Sequence, residues 1–153
     1  MLYTSHMGSR DDALFAPASD HAATEAFLAQ AGLPFTSLRH GFYAESALHL
    51  IGRGIEAGEI HAPEVFTMAE LATIASELTG REVKRVTVSD DEWLDATLAQ
   101  GVPAPRAEML LGMYRAARRG DFATTDPTLE KLLGRRSQTM RDVLASVLKA
   151  AAA

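Results

Sequence analysis

Strand-forming stretches are few in this sequence, and this scarcity limits the folds that the chain can adopt. Only residues 2–5, 35–38 and 81–88 have the residue types and the flanking turn residues of short strands. Apolar residues at helical spacing fill most of the rest, so that the second half is mainly helical. Strands that alternate with helices predict an α/β protein. Its sheet is expected to be short of strands, with two near the start and one in the middle.

Helical spacing predicts seven helices, in residues 21–31, 44–58, 67–80, 89–101, 105–120, 127–133 and 139–153. Ser19 and Asp20 offer an N-cap to the first helix, in which Ala23, Ala26, Phe27 and Gln30 lie on one face. Two later helices begin with a capping box, in which a hydroxyl and a carboxylate three residues apart each bind an orphan backbone N–H. The pairs are Thr67 with Glu70, and Ser89 with Glu92.

Composition excludes several classes of function. The chain has 153 residues with 20 acidic and 15 basic side chains, and its formal net charge of −5 gives no general attraction to nucleic acid or to anionic lipid. Because cysteine is absent, disulfides, thiolate metal sites and cysteine nucleophiles are excluded. No apolar run reaches the roughly 20 residues of a membrane helix, and the first residues do not resemble a signal peptide. We therefore expect a soluble, cytoplasmic protein.

The familiar phosphate-binding and esterase motifs are missing. The chain contains no Gly-x-Gly-x-x-Gly, no Gly-Lys-Ser/Thr loop and no Gly-x-Ser-x-Gly. Residues 52–54 (GRG) and Gly58 have the wrong spacing for a phosphate loop, and helix fraying is the simpler interpretation.

Histidines supply the candidate polar sites. His21 and Glu25 are four residues apart, so on a helix they share a face that is able to pass a proton or bind a metal, although such pairs are more often only exposed. His40, Tyr43 and Glu45 follow the second predicted strand, and His6 follows the first. Loops at the carboxyl ends of parallel strands are where ligands bind in α/β sheets, but a packed polar loop is an equal alternative.

Basic residues are concentrated near the C-terminus. Arg118, Arg119, Arg135 and Arg136 fit an anion or partner site, but we favour solvated helix faces with cations near helix C-termini.

Several runs resemble one known family over nearly the whole chain. They are residues 3–8 (YTSHMG), 20–25 (DHAATE), 32–43 (GLPFTSLRHGFY), 67–71 (TMAEL), 77–81 (ELTGR) and 132–135 (LLGR). Together they look like the second half of NmrA-like proteins, which are atypical short-chain dehydrogenase/reductases. The resemblance implies a truncated NAD(P)-binding Rossmann-like remnant in residues 1–64 and a small helical substrate-side region in residues 65–153. The half with the glycine-rich loop, and a stretch between Glu64 and Val65, look absent.

The resemblance also implies a reaction, a cofactor and site residues. The reaction is hydride transfer from NADPH or NADH to a quinone or azo-type acceptor, for which the protein needs no metal and no nucleophile. His21 and Tyr43 would be the catalytic residues. The residues placed near the cofactor by the resemblance are Thr4, Ser5, His6, His40, Gly41, Phe42 and Glu45, with His40 where the family carries asparagine.

Two alternatives to a working reductase remain open. One is a non-catalytic binding or regulatory module that pairs with another chain or forms a homo-oligomer, because a strand-poor sheet exposes its edges. The other is a decayed gene product that folds poorly.

Overall fold

A computed structural model describes residues 1–41, 59–62, 66–123, 127–136 and 138–151. Within these ranges the strands are β1 (Leu2–His6), β2 (Thr36–His40), β3 (Glu59–Ala62) and β4 (Lys84–Thr87). The helices are α1 (Ala16–Gln30), α2 (Phe66–Thr79), α3 (Asp90–Ala99), α4 (Ala104–Arg119), α5 (Thr128–Leu133) and α6 (Met140–Ala151). The α/β class with few strands is confirmed.

The chain divides into two compact units. The first comprises Met1–Gly41 and Ser89–Thr124, and the second comprises Phe42–Val88 and Thr125–Ala153. The family resemblance implies a different division, between residues 1–64 and residues 65–153. This division describes how parts of the chain correspond to its relatives, and it stays a prediction. The predicted helix 44–58 lies outside the described residues.

The first unit contains a pair of parallel strands. β1 pairs with β2 in the register Leu2↔Thr36 to His6↔His40, and α1 is the crossover that a parallel pair requires. The Thr36 N–H donates to the Met1 carbonyl at 2.9 Å, and the Met7 N–H donates to the His40 carbonyl at 2.7 Å. His6 and His40 therefore lie side by side at the carboxyl end of the sheet.

Helix α1 differs from its prediction at its start. It begins at Ala16 with Phe15 as N-cap, and not after Ser19 and Asp20. Pro17 reads as a loop residue in the sequence, but proline is tolerated in the first turn of a helix, where its missing N–H has no intrahelical partner.

The buried side of α1 consists of Ala18, Ala22 and Leu28. The face with Ala23, Ala26, Phe27 and Gln30 is exposed, and Phe27 keeps 67% of its surface in contact with solvent. His21 and Glu25 instead turn towards the strands. The helix thus presents two half-buried polar side chains to the strands beside its buried apolar residues.

Helices α3 and α4 complete the first unit. The capping box of Ser89 and Glu92 is confirmed, because the Ser89 hydroxyl accepts from the Glu92 N–H while the Glu92 carboxylate accepts from the Ser89 N–H at 2.8 Å. Trp93 packs edge-on against the buried Tyr114, with ring centroids 5.1 Å apart. Desolvation raises the pKa of Tyr114 to about 12.

The cationic end of α4 is paired internally. Arg118 contacts Asp90 at 2.8 Å and Arg119 contacts Asp121 at 2.6 Å. Arg135 and Arg136 are exposed, and one Arg135 N–H donates to the Arg136 carbonyl at 3.4 Å. These contacts agree with solvated helix ends and leave Arg118 and Arg119 engaged with acidic side chains.

The second unit is built around another parallel pair. β3 pairs with β4 in the register Glu59↔Lys84 to Ala62↔Thr87, and α2 packs against both strands and against α6. Strand β4 lies inside the predicted run 81–88. The sequence did not indicate β3, because a stretch of only four residues just before Pro63 reads as a boundary.

The core of the second unit is apolar, with one polar anchor. Its buried residues are Met68, Leu71, Ala72, Ala75, Val83, Val143 and Leu144. The Ser76 hydroxyl accepts from the Val83 N–H at 2.9 Å and so ties α2 to the segment before β4. The Thr67 side chain lies outside the described part, so the capping box of Thr67 and Glu70 stays a prediction.

The described helices include none with the length and apolar character that a membrane-spanning segment needs.

Gly112 marks a close contact between α4 and the loop before α1. A Cβ at this position would lie 2.4 Å from the Leu14 carbonyl oxygen. We expect Gly112→Ala to lower the free energy of unfolding by about 1–3 kcal/mol, because the overpacking outweighs the better helix propensity of alanine. Urea denaturation measures this effect. The control Glu108→Ala changes an exposed residue of the same helix, and a Gly112→Ala protein as stable as this control would contradict the prediction.

Candidate functional site

The described site residues from the sequence surround the carboxyl end of the β1–β2 pair. Ser5 and His6 end β1, His40 ends β2, Gly41 follows it, and His21 lies on the side of α1 that contacts β1. Phe42, Tyr43 and Glu45 lie outside the described residues.

The Glu25 carboxylate holds this region together. It accepts hydrogen bonds from the Ser5 hydroxyl at 2.6 Å and from the Ser37 hydroxyl at 2.5 Å. The Arg39 guanidinium binds it in a two-pronged contact, with Nε at 3.1 Å and Nη2 at 2.5 Å. The Glu25 carboxylate of α1 is thus hydrogen-bonded to side chains of both β1 and β2.

These contacts fix the charge of Glu25. The hydrogen bond from Arg39 is the largest cause that lowers its pKa, with further contributions from Ser37 and Ser5, and the pKa falls to about 2. Glu25 is therefore an ionised acceptor at neutral pH and is not suited to pass a proton. The sequence pairing of His21 with Glu25 is right about the shared helix face, but the carboxylate serves the strands.

His21 has a different partner from the one that the sequence suggests. Its Nδ1 lies 2.7 Å from the Tyr3 hydroxyl, and the two rings are tilted with centroids 5.8 Å apart. Both side chains are half-buried. Tyr3 was not among the candidate residues, although its position two residues before Ser5 puts it on the same face of the strand.

His6 lies in a cluster of rings. Its centroid is 5.5 Å from Phe15, 5.4 Å from Phe122 and 6.4 Å from His21. Its Nδ1 accepts from the Gly8 N–H at 3.1 Å. Burial, and to a lesser degree the nearby His21, lowers the pKa of His6, so the neutral ring is favoured.

Gly8 permits this arrangement, because a Cβ there would lie 2.9 Å from a ring carbon of Phe122. The loop after β1 is thus fixed against the segment after α4.

Thr4 does not join His21. Successive side chains of a strand alternate between faces, so Thr4 lies on the face opposite Ser5, where it is exposed. Leu2 and Leu38 belong to the same face and are 72% and 41% exposed. Ser5, in contrast, is 3% exposed and its hydroxyl is engaged by Glu25.

Strand alternation combined with the parallel register was the signal that could have identified Ser37 and Arg39. The register pairs Tyr3 with Ser37 and Ser5 with Arg39, so all four side chains occupy the face below α1. Phe15 and Phe122 carried no local signal, since they meet His6 only through the fold.

Metal binding finds no support in the described ranges, which hold no group of three or more His, Asp or Glu side chains suited to a metal ion.

Comparison with solved structures defines the fold class. The chain superimposes on an NADPH-dependent quinone oxidoreductase from Escherichia coli with a TM-score of 0.86 at 22% identity, covering 96% of this chain and 66% of that one. A triphenylmethane reductase from Citrobacter sp., complexed with NADP(H), matches with a TM-score of 0.73 at 24% identity, covering 94% of this chain and 64% of that one. The chain therefore has part of the Rossmann-like fold of these proteins.

Sequence comparison identifies relatives within this fold class. An NmrA-like family domain-containing oxidoreductase from Aspergillus flavus is 28% identical over an alignment of 167 positions, gaps included, which covers 84% of this chain and 54% of that protein. Quinone oxidoreductase 2 of Escherichia coli is 26% identical over an alignment of 179 positions, gaps included, which covers 93% of this chain and 62% of that protein. No family model matches the sequence. The resemblance to NmrA-like reductases is thus confirmed, and the chain spans a little over half the length of these relatives.

The lowered pKa of Glu25 predicts how stability depends on pH. Its carboxylate contributes stability above its ordinary pKa of 4.5, and this contribution is lost as the pH falls from 4.5 towards about 2. We expect Glu25→Gln to cost roughly 1–3 kcal/mol near neutral pH and to flatten this acid-induced loss. Denaturation by urea at pH 3 to 7 measures both effects.

Glu108→Gln is the control, because it removes an exposed carboxylate of the same unit. It should keep the wild-type loss of stability at low pH. An equally steep loss in Glu25→Gln would show that Glu25 is not the group responsible.

Proposed function

We propose that the chain carries the nicotinamide-side part of an NAD(P)H-dependent reductase site that reduces quinone or azo-type acceptors. The observation that carries this proposal is the half-buried His21–Tyr3 pair beside the carboxyl ends of two parallel strands. Ligands of α/β sheets bind at such ends. The relatives described above, among them the quinone oxidoreductase of Escherichia coli and a triphenylmethane reductase complexed with NADP(H), support the same assignment.

The residues fit one end of the cofactor. His6 and His40 end neighbouring strands, and Gly41 is exposed, with the Met7 sulfur as the one atom of the described residues within 4 Å of an added Cβ. These groups, with Thr4 and Ser5, are the proposed contacts to the nicotinamide end; Phe42 and Glu45 complete the proposed set, with Tyr43 as a second catalytic residue. Ser5 would contribute through its backbone, because its hydroxyl donates to Glu25.

The sequence has no element that would bind the pyrophosphate end of the cofactor. The sequence contains no glycine-rich loop between a strand and a helix, which is the element that binds a pyrophosphate. Each missing charge-assisted hydrogen bond removes about 1.5–3 kcal/mol of binding free energy. We propose that this chain alone binds the cofactor weakly.

The chemistry divides between cofactor and protein. NAD(P)H supplies the hydride when bound. The protein orients the acceptor, keeps water away and provides a proton donor, for which His21 is the proposed residue.

Titration with NADPH, followed by nicotinamide fluorescence, tests the proposal. We expect weak binding, with a Kd of roughly 100 μM, and a loss of at least tenfold, or about 1.4 kcal/mol, in a His40→Ala, Tyr43→Ala double variant. Gln30→Ala, at the exposed end of α1, is the control and should bind as the wild type does. An absence of binding up to millimolar NADPH would reject an autonomous reductase.

A second candidate function is a binding module that pairs with another chain. The observation in its favour is the open face of the β1–β2 pair, where Leu2 and Leu38 are 72% and 41% exposed. Parallel sheets are normally covered on both faces, and two strands alone are a marginal sheet.

Sedimentation analysis separates this candidate from the reductase. A pairing module should self-associate at micromolar concentration, and Leu38→Asp should shift it towards the monomer because a charge on the open face opposes burial. Thr24→Asp, on α1, is the matched control. A wild-type protein that remains monomeric would count against self-pairing.

A further inference from the structure

The contact between Tyr3 and His21 has a defined direction. A phenol has a single proton to donate, and a neutral imidazole has one donor and one acceptor nitrogen. In the described part of the chain, His21 Nδ1 is the one hydrogen-bond partner of the Tyr3 hydroxyl, at 2.7 Å. If Nδ1 carried the proton, the phenol proton would have no acceptor there. The arrangement that satisfies both groups has Tyr3 donating to Nδ1, which leaves the imidazole proton on Nε2.

The surrounding acceptors are occupied. The Glu25 carboxylate, one turn along α1, already accepts four hydrogen bonds, from Ser5, Ser37 and the two-pronged contact of Arg39. The stacked His6 ring uses its Nδ1 to accept from the Gly8 N–H, so a neutral His6 carries its own proton on Nε2 and offers His21 no acceptor nitrogen. Among the described residues, none accepts a hydrogen bond from His21 Nε2.

We propose that Tyr3 is a positioning residue that holds His21 in its Nε2–H form and thereby presents a hydrogen-bond donor to the carbonyl oxygen of the acceptor. This inference rests on the proposed reductase function. It assigns a role to Tyr3, because the Tyr3 hydroxyl on β1 is what makes the His21 imidazole on α1 a hydrogen-bond donor.

The proton balance follows from the same contact. Two-electron reduction of a quinone adds one hydride and one proton, and the hydride comes from NAD(P)H, which is oxidised. The N–H bond at His21 Nε2 breaks as an O–H bond forms on the acceptor, while Nδ1 takes the proton of the Tyr3 hydroxyl. The Nδ1 proton then returns to the Tyr3 oxygen as Nε2 takes a proton from water, which restores the Nε2–H form of His21.

The first test is made on the protein without cofactor. Two-bond ¹⁵N–¹H correlation of the imidazole side chains distinguishes the two tautomers of a histidine. We expect His21 to be almost entirely in the Nε2–H form, and Tyr3→Phe to convert it to a mixture of tautomers. Tyr114→Phe removes a hydroxyl from the same unit away from His21, and should leave the His21 signals unchanged. An Nδ1–H form in the wild type, or an unchanged tautomer in Tyr3→Phe, would overturn the inference.

Quinone reduction with NADPH supplies the second readout. Tyr3→Phe should lower kcat by roughly 10- to 100-fold with KM little changed, as expected when a proton donor is mispositioned. In a His21→Ala background the same change should have no further effect, because the two residues act as a unit. A Tyr3→Phe enzyme with wild-type kcat would refute the positioning role.

The two readouts separate the inference from the proposed function. A fixed His21 tautomer that depends on Tyr3, in a protein without reductase activity, rejects the proposed function and the donation to an acceptor. An active wild type whose His21 tautomer is independent of Tyr3 keeps the function and rejects the inference.

Discussion

The Glu25 carboxylate is the interaction on which the first unit depends. It lies on α1, yet its hydrogen-bond donors come from β1 and from β2, so a single side chain fixes the crossover helix against both strands. Backbone pairing alone sets the register of the strands but does not set the position of the helix above them. The distances around His21 follow from this tie, because His21 lies one turn before Glu25 on the same helix.

Much of the architecture was readable from the sequence. Gly80, Gly101 and Gly120 mark the ends of helices, and Ser89 with Glu92 mark a start, because such signals act through local backbone chemistry. Strand β3 and the first turn of α1 are not predicted, because local residue types alone do not determine them. β3 is short and gains its stability from pairing with β4, which is distant in sequence, and Pro17 has opposite meanings in a loop and in a first helical turn.

The candidate site was predicted in part. His6, His21 and His40 are candidates in the sequence because they follow predicted strands or begin a predicted helix, and in the structure they lie around one end of the sheet. The partners that give these histidines their chemistry were not foreseen. Tyr3 and Arg39 depend on the strand register, and Phe122 is brought to His6 from another part of the chain, so no local pattern identifies them.

The polar layer between α1 and the strands has a thermodynamic consequence. Exposure of apolar surface on unfolding raises the heat capacity of a protein, whereas exposure of polar surface lowers it. Tyr3, Ser5, Ser37 and Arg39 face His21 and Glu25 where most proteins bury aliphatic side chains. The opening of this layer therefore carries a small heat-capacity change, and its stability varies less steeply with temperature than that of the aliphatic core around α2.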